Sequence, residues 1–329
     1  MKAVWFEQFG AAPDVLQMGE LPDPTPSPGE VLVKLATSGV NPSDVKKRAG
    51  AFPNLLDDGL VIPHSDGAGE IVALGAGVTD RRIGERVFVY QGQYGRRLGT
   101  NAQLIAIDSE RAPSLPDNAD FAVGACIGIP IMTAHRCVFA DGPVAGQTVL
   151  ITGGAGRVGY YAVQWAKRFG ARVIATASNP ADAALCQSLG ADAVVNHREP
   201  NWGAAVLAAN SGARVDRVVD VEFGANLPEV LKCIRTSGVI ATYSSTQVAQ
   251  PQLPFRDMMF MDLTVRMVIV YAMPESAKQA AVSDTAAALA AADWMQHRIA
   301  HRVPFAETAR AHELVEQGGF GGCVVVDID

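Results

Sequence analysis

The chain has 329 residues, enough for two domains that each bury a core, and 49% of them are hydrophobic. A net charge of −7, with no Lys/Arg run longer than Lys46-Lys47-Arg48, argues against a nucleic-acid partner, which needs a basic face. No apolar run approaches the ~20 residues of a membrane span, and no basic-then-apolar leader opens the chain. A cytoplasmic protein with no membrane partner is expected. The five cysteines, at 126, 137, 186, 233 and 323, are scattered and contain no C-x-x-C. They read as small buried hydrophobes in a reducing compartment.

In chain order, the first ~120 residues read as short strands with dense turns. Four prolines between 21 and 29 make a connector, and 30–35, 69–74 and 86–90 are strands. From about 145 to 271 the pattern changes to alternating elements. Strand cores fall at 148–152, 172–176, 193–195, 217–221, 238–242 and 264–270, and helices at 158–169, 180–189, 202–210 and 226–235. Six strands separated by helices predict an open parallel sheet with right-handed crossovers. Beyond 271 come a long alanine-rich helix at 275–293, a strand, a helix at 306–317 and a last strand at 323–326. That tail lacks partner strands of its own and is expected to pack on the first domain.

The most informative run is Val149-Leu150-Ile151-Thr152-Gly153-Gly154-Ala155-Gly156-Arg157-Val158-Gly159. A β-branched strand enters glycines spaced G-x-G-x-x-G and then an amphipathic helix. Gly154 permits the tight turn, Gly156 lets backbone N–H groups approach a pyrophosphate, and Gly159 lets helix and strand pack closely. Arg157 and Val158 lie at the helix start, where an anion is favoured. The strand at 172–176 ends in Ala177-Ser178, where NAD-binding chains carry a carboxylate for the ribose hydroxyls. A small hydroxyl residue leaves room for a 2′-phosphate, so NADP is preferred, with His197 or Arg198 as a phosphate contact. His197 also reads as a solvated loop histidine.

Further markers are Gly39-Val40-Asn41-Pro42-Ser43-Asp44, Ile62-Pro63-His64-Ser65-Asp66-Gly67-Ala68-Gly69 and Gly84-Glu85-Arg86-Val87. Gln164-Trp165-Ala166-Lys167, Leu189-Gly190-Ala191-Asp192 and Arg310-Ala311-His312-Glu313-Leu314 follow. With these markers the chain resembles the zinc-independent medium-chain dehydrogenase/reductases, in their quinone oxidoreductase (zeta-crystallin-like) branch. The resemblance implies an α/β fold: a GroES-like β-rich catalytic domain over 1–123 and 272–329, and a Rossmann doubly wound parallel-sheet domain over 124–271. It also implies hydride transfer from NADPH to a quinone or to the β-carbon of an activated alkene. Asn41 and Thr133 would lie beside the nicotinamide and its ribose. Gly156, Arg157, Val158 and Gly159 would hold the pyrophosphate, Ser178 and His197 the adenosine phosphate. Tyr243, Ser244 and Ser245 would line the nicotinamide side.

Three departures bear on the cofactor. Arg157 stands where relatives often have glycine, Asp182 where they commonly carry a phosphate-binding lysine, and His197 where they often have tyrosine. The zinc ligand positions of metal-dependent cousins fall near 38–43, at Ser65 and near Ile129, and none supplies a soft ligand, so no zinc is expected. Donors for charge developing on an acceptor oxygen are Lys46, Tyr94 and the Thr133 hydroxyl. Lys46 also reads as a solvated turn lysine, and Tyr94 as an exposed loop aromatic. The apolar segment 255–261 reads as an acceptor-pocket wall or as packing. The strand at 264–270 is expected to pair with a second copy in a homodimer. An enoyl-thioester or carbonyl reductase, and a non-catalytic NADPH-binding protein, remain alternatives.

Overall fold

A computed structural model describes residues 1–328. It divides into two compact units, one of residues 1–129, 282–293 and 297–329, the other of 130–281 and 294–296. The first division falls six residues beyond the expected 123/124. Residues 124–129 stay with the first unit because Gly124 lies against Ala68, and Cys126 joins a cluster with Cys323 and Val325. The second falls inside the helix Glu275–Ala291 rather than at 271/272.

The first unit is organised by one long strand, Glu30–Val40. One edge of its first half pairs antiparallel with Leu104–Asp108, and the same edge of its second half pairs with Cys323–Asp327. The other edge pairs with Asp66–Leu74, which in turn pairs with Arg86–Val89. Alternation along Glu30–Leu35 turns Val31, Val33 and Leu35 inward, where they meet Ile71, Val87, Val89, Ile105 and Ile107. The tail joins this sheet directly: Ile299–Pro304 pairs parallel with Cys323–Asp327, so it does bring partner strands. Two helices that carry candidate site residues escaped periodicity, one because it is short and the other because it is almost wholly buried. They are Pro42–Arg48 and Ile129–Phe139.

The second unit holds a six-stranded parallel sheet. Its order is Thr264–Met267, Ile234–Thr242, Val215–Asp220, Thr148–Ile151, Arg172–Ala177, Ala193–Asn196. The strand that feeds the glycine loop is therefore central, and strand order reverses on either side of it. This is the doubly wound arrangement whose ligands bind beyond the carboxyl ends of the strands. Leu150, Ile174, Val218 and Ile240 pack against Leu227, Val230 and Trp202 on one face. Arg217, buried in a central strand, donates to the carbonyls of Val138 and Asp141. The last strand stops at Met267 rather than 270, because the chain turns into a short helix at Val270–Ala272. All five cysteines are buried and unbridged.

Candidate active site

The glycine loop is shaped by backbone constraints that only glycine meets. Gly153 sits at φ 63°, in the left-handed region. A Cβ on Gly159 would stand 2.2 Å from the Gly153 carbonyl oxygen, so the helix Arg157–Arg168 can approach the strand only without one. Gly153 and Gly154 donate their N–H groups to the Thr176 hydroxyl and carbonyl, at 3.0 and 2.9 Å. The helix begins at Gly156, which offers no side-chain cap. The first N–H groups of a helix have no acceptor within the helix itself, and such a start suits a phosphate.

Parallel strands bring the other second-unit residues to the same edge of the sheet. Ser178 follows Arg172–Ala177, His197 and Arg198 follow Ala193–Asn196, and Tyr243, Ser244 and Ser245 follow Ile234–Thr242. Ser178 is half-buried and Arg198 is exposed. Burial, with the neighbouring Arg198 charge, holds the His197 imidazole below its ordinary pKa. Asp182 is tied to Asn179 in the first turn of the next helix. A groove of about 300 Å³ lies beyond the strands Ile234–Thr242 and Thr264–Met267, lined by Phe223, Tyr243, Ser244, Pro251, Met267 and Ile269 among others. The segment 255–261 does not line it: it forms the helix Phe255–Phe260, with Phe255 and Phe260 each 70% exposed and Met258 turned into the core. Thr133 is buried in the helix Ile129–Phe139.

Glu222 is a feature the sequence did not signal. Its carboxylate accepts the backbone N–H groups of Thr246 and Gln247 at 2.8 and 3.0 Å, closing the loop that begins with Tyr243. Beneath the glycine loop, Thr152 donates to Asp220 at 2.7 Å and accepts the Val221 N–H at 2.9 Å. Burial raises the Asp220 carboxyl above its usual range, against hydrogen bonds from Asn226 and Thr152.

In the first unit, Asn41 opens the helix Pro42–Arg48, and Asp44 accepts its backbone N–H at 2.8 Å. The Asn41 Nδ2 group donates to Asp66 Oδ2 at 2.9 Å, and the Ile129 N–H donates to the same oxygen at 2.9 Å. Asp66 is fully buried, and that burial pushes its carboxyl up to about 7. Lys46 is exposed, whereas Lys47 turns inward and its ammonium donates to the Gln93 carbonyl and Oε1, both at 2.9 Å. Burial lowers the Lys47 pKa. Tyr94, 38% exposed, lies on the loop after Arg86–Val89. His64 is fully buried, with both ring nitrogens engaged.

These residues do not fit a zinc ion. Near the positions used by metal-dependent cousins stand hydroxyls, an amide already committed to Asp66, and an imidazole committed to Ser38 and His312. Among the described residues no group of three or more His, Cys, Asp or Glu is arranged for a metal.

Comparison with known proteins agrees with this architecture. Residues 27–117 match the family model of the alcohol dehydrogenase GroES-like domain, and residues 158–287 that of the zinc-binding dehydrogenases. Quinone oxidoreductase of Homo sapiens is 30% identical over 325 residues, covering 97% of this chain and 94% of the relative. That of Pseudomonas aeruginosa is 30% identical over 246 residues, covering 74% and 73%. A mycobacterial structure complexed with NADPH superposes with a TM-score of 0.86 at 27% identity, with both chains fully covered. The quinone oxidoreductase from Coxiella burnetii gives 0.83 at 25% identity, covering 100% of this chain and 99% of that one. The chain belongs to the quinone oxidoreductase branch of the medium-chain dehydrogenase/reductases.

Proposed function

We propose that this protein is an NADPH-dependent oxidoreductase that reduces quinones or activated alkenes such as enones and enals, without zinc, as a cytoplasmic homodimer. The observation that carries the reading is the uncapped start of the helix Arg157–Arg168 under a G-x-G-x-x-G loop, with Ser178 at the neighbouring strand end instead of a carboxylate. When bound, the nicotinamide supplies the hydride. The chain's own work is to hold and orient. The N–H groups of Arg157 and Val158 receive the pyrophosphate, with Gly156 giving it room and Gly154 and Gly159 letting the loop and helix pack close to the sheet. Ser178, His197 and Arg198 face the adenosine phosphate, and Tyr243, Ser244 and Ser245 line the nicotinamide side. Asn41 and Thr133 serve the nicotinamide and its ribose. Lys46, Tyr94 and the Thr133 hydroxyl are the donors for an acceptor oxygen as it gains charge.

Fluorescence titration with NADPH and NADH, followed by an acceptor screen of quinones, 2-alkenals and enoyl thioesters, tests this. Tighter NADPH binding with turnover of quinones or alkenals is expected. NADPH binding with no oxidation by any acceptor would sink the enzymatic reading.

A further inference from the structure

His64 and His312 meet in the interior of the first unit, their Nε2 atoms 2.9 Å apart and both rings fully buried. His64 Nδ1 lies 2.8 Å from the Ser38 hydroxyl, which lies 2.8 Å from the Thr100 hydroxyl. Thr100 donates to the backbone carbonyl of Asp66 at 2.7 Å. That carbonyl accepts only, so the single Thr100 proton is spent on it. Ser38 also lies 3.5 Å from that carbonyl, far longer than the 2.7 Å of Thr100, so the proton between the two hydroxyl oxygens comes from Ser38. Ser38 then accepts from a His64 Nδ1–H. Burial keeps both imidazoles neutral, with His312 pushed down to about 3. A neutral His64 protonated at Nδ1 has a bare Nε2, which accepts from His312 Nε2–H. His312 Nδ1 is left as a bare acceptor, and it is a buried nitrogen with no hydrogen-bond partner. An orphaned acceptor is the less costly end for such a chain, since buried orphan N–H groups are rarer.

The relay ends on the residue that grips Asn41. His64 itself sits at φ 76°, a conformation that a non-glycine residue holds only under external constraint, and its two ring hydrogen bonds supply that constraint. The strand Asp66–Leu74 starts two residues later. Asp66 Oδ2 takes both the Asn41 and Ile129 N–H donors. Oδ1 is buried without a hydrogen-bond partner, and a Cβ on Gly128 would lie 2.1 Å from it, so the carboxyl fits only because residue 128 is glycine. The charged groups that act on Asp66 are Asp44 and Lys47, both from the helix Pro42–Arg48.

We propose that Asp66 is the positioning residue that fixes the Asn41 carboxamide, and that a one-directional hydrogen-bond relay from His312 through His64, Ser38 and Thr100 fixes Asp66. Its consequence for hydride transfer rests on the function proposed above, in which Asn41 serves the nicotinamide. A carboxamide held from behind presents one orientation to the cofactor at no ordering cost on binding.

The test is 15N NMR of the full-length protein at pH 7, read beside the kinetics of D66A and D66N. In the wild type, His64 is expected as the Nδ1–H tautomer and His312 as the Nε2–H tautomer. The opposite tautomer on either ring overturns the relay. The Asn41 side-chain NH2 should resonate as one slowly exchanging pair in wild type and D66N, which keeps an acceptor oxygen, and should exchange freely in folded D66A. An unchanged Asn41 resonance in D66A overturns the positioning role. In turnover, D66A should lower kcat by about tenfold or more with NADPH affinity little changed, and D66N should recover to within about threefold. Equal kcat in wild type and D66A overturns the consequence for transfer. If the wild type oxidises NADPH with no acceptor, the function proposed above fails, while the tautomers and the Asn41 resonance still decide the relay and the positioning role.

Discussion

Asn179 and Asp182 are joined twice: the Asp182 N–H donates to Asn179 Oδ1 at 2.9 Å, and Asn179 Nδ2 donates to Asp182 Oδ2 at 2.7 Å. The pair fixes a carboxylate in the first turn after Ser178, at the edge where the adenosine phosphate is expected. A negative charge there repels a 2′-phosphate and leaves a ribose hydroxyl unaffected. Replacing it by a cation, Asp182→Lys, should improve NADPH binding relative to NADH by roughly tenfold, about 1.4 kcal/mol. Fluorescence titration of both nucleotides checks it; an unchanged ratio would remove Asp182 from the phosphate site.

The glycine loop offers a sharper structural prediction. In Gly159→Ala the new methyl meets the Gly153 carbonyl oxygen, and neither element can yield without separating helix from strand. A loss of about 1–3 kcal/mol in stability is expected, together with at least a ~tenfold weaker grip on NADPH. Thermal melts with and without nucleotide measure both effects. A variant that binds normally would show that the helix start does not set the phosphate site.

Stability should fall in mild acid. His312, at about 3, and His297, at about 4, both lie below the usual 6.5, and His64 is also well depressed, because burial disfavours their charged forms. Below 6.5 the unfolded chain binds protons that the folded chain refuses, so stability drops as pH falls toward those values. Asp66 works in the opposite sense: its carboxyl, raised from 3.8 to about 7, favours the folded state as pH falls through that window. Asp220, also raised by burial, adds to Asp66, and His197 adds to the other three imidazoles, so four histidines outweigh two carboxyls. Urea unfolding between pH 7 and 4 should therefore show a steady loss, and His312→Gln should be less stable at pH 7 but flatter across the window. A variant with the wild-type slope would exonerate His312.

The strand Thr264–Met267 is an open edge of the second unit's sheet, with Met267 67% and Ile269 56% exposed. Pairing with the same strand of a second copy would cover this edge. Light scattering should find a dimer at micromolar concentration, and Met267→Lys with Ile269→Lys should shift it toward monomer. A monomeric wild type rules the pairing out.

The nucleotide-binding half was legible because its signals are local. Short apolar strands, glycines at fixed spacing and helices of regular period follow from short-range sterics and solvation. Ser178 was read from the end of its strand and 243–245 from the family resemblance, and the parallel sheet collects both, with 197–198, on one edge. The short helix Pro42–Arg48 was harder: three successive basic residues at its end gave no period to show which faces inward. Lys46 was singled out, and packing buried Lys47 instead. Glu222 could not be found, since its partners are backbone N–H groups of a loop more than twenty residues away.

The same limit applies to His64 and His312, 248 positions apart in the chain. Sequence alone determined the fold class, the two-part organisation and the glycine loop, because hydrophobic period and backbone freedom are properties of neighbouring residues. Tertiary structure alone decided which polar groups share a dry interior. The pairing of the tail with the strand Glu30–Val40 carries the helix bearing His312 to His64, and there burial, not sequence position, settles which atoms hold protons.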